Sequence, residues 1–186
     1  GYVDDAIGWD FFGDTNDPMD GNGHGTACAG VIGARGNNNL GISGVLWNAK
    51  LVPLKVIGPE GYGYESDAID AVLYADGIGA DIISFSWGGT YPYPALRDAM
   101  ASSPALFICA AGNSGTDNDE NPVYPASFDL PNVISVSATD ESDRLAPFSN
   151  FGAASVAIAA PGAGILSTAR GGGYSSFSGT SMAVPF

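Results

Sequence analysis

The chain contains one histidine, His24, held between glycines in the stretch GNGHGTACAG (21–30). Imidazole is the side chain best suited to take up and return a proton near neutral pH. At the other end, the stretch SGTSMAVPF places Ser181 before a run that reads as the start of a helix. A hydroxyl there lies beside backbone N–H groups that no helical carbonyl takes. Those groups stabilise an oxygen that turns negative when the hydroxyl attacks a carbonyl. Serine is a weak nucleophile unless a base removes its proton, and His24 is the one imidazole available. The third piece is Asn113 in AAGNSG, an uncharged amide donor that follows an apolar run and a glycine. Each has a plain reading as well: a loop histidine, a helix-capping serine, a turn amide. Taken together they point to acyl transfer.

These groups must be positioned by elements far apart in sequence. Residues 1 to 23 are rich in Asp, Gly and Asn and read as loop. Small residues from about Gly25 to Ala34 read as a short helix, and RGNNNLGISG as loop again. AKLVPLKVI (49–57) reads as a buried strand. ESDAIDAVLYADGIG (65–79) has apolar residues at helical spacing with an acidic outer face. Then come a strand (81–87), a helix (94–102), a strand (104–112), and short strands at 132–139 and 155–162. Strand, helix, strand in alternation predicts βαβ units and a parallel sheet in a single α/β domain. Ligands bind such sheets beyond the carboxyl ends of the strands. Three of those ends are glycine-rich here: GPEGYG, GG after ISFSW, and GNSG after ICAA.

The bulk composition excludes some functions. A length of 186 residues with 45% hydrophobic residues suits one globular domain. With 20 acidic against 6 basic residues the net charge is −14, which argues against nucleic acid and against an anionic membrane surface. No apolar run reaches the roughly 18 residues of a membrane span. Cys28 and Cys109 are too few for a disulfide scaffold, and the sequence leaves open whether they pair. Asp10, Asp14, Asp17 and Asp20 offer the hard oxygens calcium takes, and equally read as a solvated acidic loop.

The motifs DGNGHGTACAG, SFSWGG, AAGNSG, YPAS, FSNFG, APG and SGTSMAVP, in this order, resemble the subtilisin-like serine proteases, or subtilases, over essentially the whole chain. The resemblance implies a three-layer α/β fold, with a mostly parallel central sheet flanked by helices. It implies His24 as general base, Ser181 as nucleophile, and Asn113 as the side-chain donor of the oxyanion hole. It implies Ser86, Trp87 and Gly88 as one wall of the main specificity pocket and as the strand that pairs with substrate. Ala110, Ala111 and Gly112 would form the opposite wall, and Gly61, Tyr62 and Gly63 the segment pairing with the peptide's other side. The partner would be an extended peptide, the protein a monomer, and its location extracellular. No cofactor is required for this chemistry, and the resemblance leaves room for a structural calcium. Tyr124–Pro125 would be a cis peptide, and Cys28 would pack beneath the imidazole.

The chain departs from the family's pattern in specific places. Subtilases carry a triad aspartate on an apolar first strand, and none of Asp4, Asp5, Asp10, Asp14, Asp17 or Asp20 follows such a strand. The expectation is a catalytic domain truncated at both ends, with its aspartate upstream, and inactive as this piece alone. Ala27 and Phe186 stand where the family commonly has histidines outside the triad. Two other classes compete with an endopeptidase: a catalytically silent peptide-binding relative, and a serine-carboxyl peptidase, which uses Glu where this chain has His24.

Overall fold

A computed structural model describes residues 2–186. Four parallel strands form the central sheet: β3 (Ile82–Phe85), β4 (Leu106–Ala110), β5 (Val133–Thr139) and β6 (Ile158–Pro161), in that spatial order. The registers pair Phe85 with Cys109, Ala110 with Val136, and Thr139 with Pro161. Alternation along β4 feeds two cores. Phe107 and Cys109 enter a cluster with Val72 of α2 (Glu65–Gly77) and Leu96 and Met100 of α3 (Pro94–Ser102). Ala110 joins Val136, Ala138, Ala183 and Val184 in the second, and Ile108 packs against it. A strand buried on both faces needs the near-continuous apolar run seen in LFICA. The three-layer α/β architecture is therefore present.

The helices follow their local chemistry. Pro94 opens α3, where its missing N–H is not needed. Glu65 and Asp67 lie in the first turn of α2, where negative charge complements the helix dipole. α1 (His24–Gly33) packs Ala27, Cys28 and Val31 against Met182 of α4 (Thr180–Ala183). This joins the two ends of the chain.

Three features differ from the sequence reading. The strand expected over 49–57 is reduced to β2 (Leu54–Lys55), since Pro53 cannot donate to a ladder. Its parallel partner, β1 (Trp9–Asp10), lies in a stretch read as loop. An antiparallel hairpin, β7 (Ile165–Thr168) with β8 (Tyr174–Phe177), turns through Gly171, Gly172 and Gly173. Both cysteines are free and buried, which closes the question of their pairing. The Tyr124–Pro125 bond is cis.

Candidate active site

His24 is the first residue of α1, and the turn before it is organised by Asp20. One Asp20 carboxylate oxygen accepts from the N–H groups of Asn22 (2.8 Å) and Gly23 (2.7 Å). The other accepts from the N–H (2.8 Å) and hydroxyl (2.6 Å) of Thr26. N–H groups at a helix start need such partners. Burial opposes the Asp20 charge, but the bonds from the Thr26 hydroxyl and the three N–H groups outweigh it and draw the carboxyl down to about 2. With its oxygens occupied in this way, Asp20 orients the helix rather than the imidazole.

On its other side α1 sits on the hairpin. The Ser167 hydroxyl donates to the Ala27 carbonyl (2.6 Å), and that of Thr168 to the Thr26 carbonyl (2.7 Å). A Cβ at Gly30 would collide with both hydroxyls, so the close approach requires glycine there. Burial lowers the His24 pKa below the ordinary histidine value, and the Asp20 charge works in the other direction. The lowered pKa favours the neutral form of the imidazole.

Ser181 sits one residue into α4 and is only 9% exposed. Its hydroxyl donates to the Ser86 carbonyl (3.1 Å), and its own carbonyl accepts from the Ser86 hydroxyl (3.3 Å) and the Cys28 thiol (3.6 Å). Burial pushes the Cys28 thiol up to about 11, so it is protonated at neutral pH. Asn113 lies just past β4. Its Oδ1 accepts from the Thr180 N–H (2.7 Å) and hydroxyl (3.1 Å). That fixes which way the amide faces and leaves Nδ2 without a partner among the described residues.

A cavity of about 240 Å³ opens at these strand ends. Of the residues expected at the site, Ser86, Trp87, Gly88, Ala110, Gly112, Asn113 and Ser181 line it. Val123 and Thr180 line it too, although the sequence reading did not single them out. Val123 has no motif to announce it, whereas Thr180 stands inside SGTSMAVP.

Several expected residues lie elsewhere. Ala111 is fully buried, with its N–H donated to the Val136 carbonyl (3.0 Å) and its carbonyl taken by Asn118 (2.8 Å), so it backs the wall instead of facing the cavity. Gly61, Tyr62 and Gly63 are outside the cavity lining. They belong to the loop held beside the residues before His24, where the Asn22 side chain donates to the Pro59 carbonyl (3.1 Å). Among the described residues no hydrogen bond joins the His24 imidazole to Ser181 or to a carboxylate.

Two of the four aspartates of the acidic loop have partners within the chain. Asp10 is engaged by the Lys55 ammonium (2.6 Å) and the Gly13 N–H (2.9 Å), and Asp20 by α1. Among the described residues no group of three or more His, Cys, Asp or Glu side chains is placed to hold a metal ion.

A parallel sheet covered on both faces, with a crevice at its strand ends, defines a doubly wound α/β protein. The particular family follows from its relatives: residues 1–186 match the subtilase family, and the chain belongs to it. Thermitase of Thermoactinomyces vulgaris is 39% identical over 181 residues, 96% of this chain and 63% of thermitase. The thermophilic serine proteinase of Bacillus sp. (strain AK1) is 40% identical over 181 residues, again 96% of this chain but 44% of that protein. The crystal structure of a cold adapted subtilisin-like serine proteinase matches with a TM-score of 0.83 at 36% identity, over 96% of this chain and 63% of that one. The chain thus spans 63% or less of the length of these three proteins.

Proposed function

We propose that these residues form part of the catalytic domain of a serine endopeptidase. The observation that carries this reading is the Thr180–Asn113 bond. By accepting from Thr180, Oδ1 of Asn113 leaves Nδ2 free beside the cavity that Ser181 lines. His24 takes the Ser181 proton as Oγ bonds to the substrate carbonyl carbon, and the carbonyl π electrons move to oxygen. That oxyanion is met by Nδ2 of Asn113 and the N–H of Ser181. Collapse expels the amine, which leaves with the proton His24 gives it, and an acyl-enzyme remains. Water, deprotonated by His24, then releases the acid and restores the Ser181 hydroxyl.

We assign the carboxylate that orients His24 to none of the described aspartates, because none of them bonds the imidazole, and residues 1–186 on their own are expected to be inactive. The substrate is an extended peptide or protein segment, lying between Ser86–Gly88 and Gly61–Gly63. In this reading the chemistry requires no cofactor. A structural calcium that took Asp10 as a ligand would compete with Lys55. We assign the protein to the extracellular space as a monomer. Among the described residues no helix is long and apolar enough to cross a membrane.

One observation favours a second reading, a silent peptide-binding relative: the Ser181 hydroxyl donates to Ser86 and not to His24. Hydrolysis of a chromogenic peptide amide by the full-length protein separates the two. Turnover that disappears in Ser181→Ala supports the protease; peptide binding without turnover supports the silent relative.

A further inference from the structure

Two asparagines to which the sequence reading gave no role, Asn118 and the Asn150 of FSNFG, lie beneath the loop that presents Asn113. Asn150 is fully buried and Asn118 is 2% exposed. The Asn150 Oδ1 accepts from the N–H of Ser114 (2.8 Å) and of Thr116 (3.4 Å). Its Nδ2 donates to Oδ1 of Asn118 (2.9 Å), whose own Nδ2 donates to the Ala111 carbonyl (2.8 Å). The Asn150 backbone N–H donates to the Gly112 carbonyl (2.9 Å). Residues on both sides of Asn113 are thus held by one pair of side chains.

The network has a direction. Asn150 must present oxygen to the loop and nitrogen to Asn118, and Asn118 must present nitrogen to Ala111. A carboxylate at 150 would meet the Asn118 oxygen with no proton between them. An apolar residue would take the Asn150 donor from the buried Asn118 side-chain oxygen, which is costly in a low-dielectric interior, and would free the N–H groups of Ser114 and Thr116. The fit is also tight: a Cβ on Gly112 would stand 2.6 Å from Nδ2 of Asn150. Asn113 itself is held only through its side chain, by Thr180. Where its Nδ2 points therefore depends on a loop whose shape the two asparagines set.

We propose that Asn150, backed by Asn118, is a positioning residue of the oxyanion hole, acting through the 111–116 loop on Asn113. This rests on the protease reading. Because the oxyanion exists only after attack, the effect falls on the chemical step more than on substrate binding.

The test uses the full-length enzyme, with active sites titrated by a fluorophosphonate so that rates refer to folded molecules. Each variant is assayed below its melting temperature on a peptide amide, and with a peptide aldehyde, whose adduct places an oxygen where the oxyanion forms. Asn150→Ala is expected to lower kcat on the order of tenfold, short of the roughly 10²–10³ for losing an oxyanion donor outright, with KM nearly unchanged. Aldehyde affinity falls by the same factor. Adding Asn150→Ala to Asn113→Ala costs little more, since both act on one group. Asn118→Ala gives the same pattern, and supplies the result if Asn150→Ala does not fold. Asn132→Ala is the control: its side chain bonds the carbonyls of Met100, Ser103 and Ala105, away from the loop. It lowers Tm and leaves kcat intact. Wild-type kcat in titrated Asn150→Ala or Asn118→Ala, or losses that multiply fully with Asn113→Ala, would overturn the proposal. A wild-type protein that neither labels nor hydrolyses would instead refute the protease reading.

Discussion

The backbone N–H of Thr180 donates to Oδ1 of Asn113 over 2.7 Å, tying the loop after β4 to the residue before Ser181. One bond thus sets the orientation of the amide and holds it close to Ser181. Asn113→Ala is expected to lower kcat by about 10²–10³ with little change in KM. Asn113→Asp keeps the oxygen that Thr180 uses but turns the other side into a negative acceptor, so it loses at least as much. Steady-state kinetics on a peptide amide checks both. Equal kcat in wild type and Asn113→Asp would show that the amide does not face the reacting oxygen.

Asp20 links the helix start to the charge on His24. Its negative charge favours imidazolium, so Asp20→Asn lowers the His24 pKa further, and the acid limb of kcat/KM shifts to lower pH. An unmoved limb, or one moved upward, would contradict this. Stability has its own sign. The Asp20 carboxyl is depressed to about 2, so its contribution is whole above the ordinary carboxylate range and is lost as pH falls toward that value. Asp20→Ala removes the cap at a cost of about 1 kcal/mol, and its acid unfolding midpoint depends less on this group.

How much was legible in the sequence depended on which forces left a pattern. The span of α3 could be read to the residue, because Pro94 marks its start and Leu96 and Met100 face one core. The strand β4 was legible as an unbroken apolar run. The hairpin β7–β8 was not: Ser167 and Thr168 turn hydroxyls toward the carbonyls of α1, and a polar strand shows no hydrophobic alternation. The strand β1 is stabilised by a partner 45 residues away and is too short for any period. In the site, His24, Asn113 and Ser181 stood out as motifs. Ala111 and Asn150 also stand inside quoted motifs, AAGNSG and FSNFG, but the inward turn of the one and the brace the other makes with Asn118 could not be read, because single hydrogen bonds to distant groups leave no spacing.

Lys55 and Asp10 are cross-strand partners, with side chains 19% and 7% exposed. Lys55→Met leaves the Asp10 charge with only the Gly13 N–H and is expected to cost on the order of 3 kcal/mol. Asp10→Asn in the same chain recovers part of that loss. The vacated carboxylate becomes open to a cation, so calcium raises the Tm of Lys55→Met more than that of the wild type. Thermal melts with calcium and with chelator make the comparison. Equal calcium responses would show that Lys55 does not stand in for a cation at this loop.

Cys28 touches the Ser181 carbonyl from the core cluster that joins α1 and α4. Its raised pKa leaves little thiolate, so alkylation by iodoacetamide at neutral pH is slow. A mercurial, which binds the sulfur and adds bulk there, inhibits the full-length enzyme. Cys28→Ala keeps activity and loses that sensitivity. Undiminished inhibition of Cys28→Ala would place the reactive sulfur elsewhere.

The central claim is that Ser181 is a nucleophile activated by His24. Fluorophosphonate labelling of the full-length protein, followed by peptide mapping, tests it most directly. The account predicts one modified residue, Ser181, in the wild type and none on the same timescale in His24→Ala. Labelling of Ser181 that proceeds equally well without His24, or no labelling of a folded wild-type protein, would contradict it.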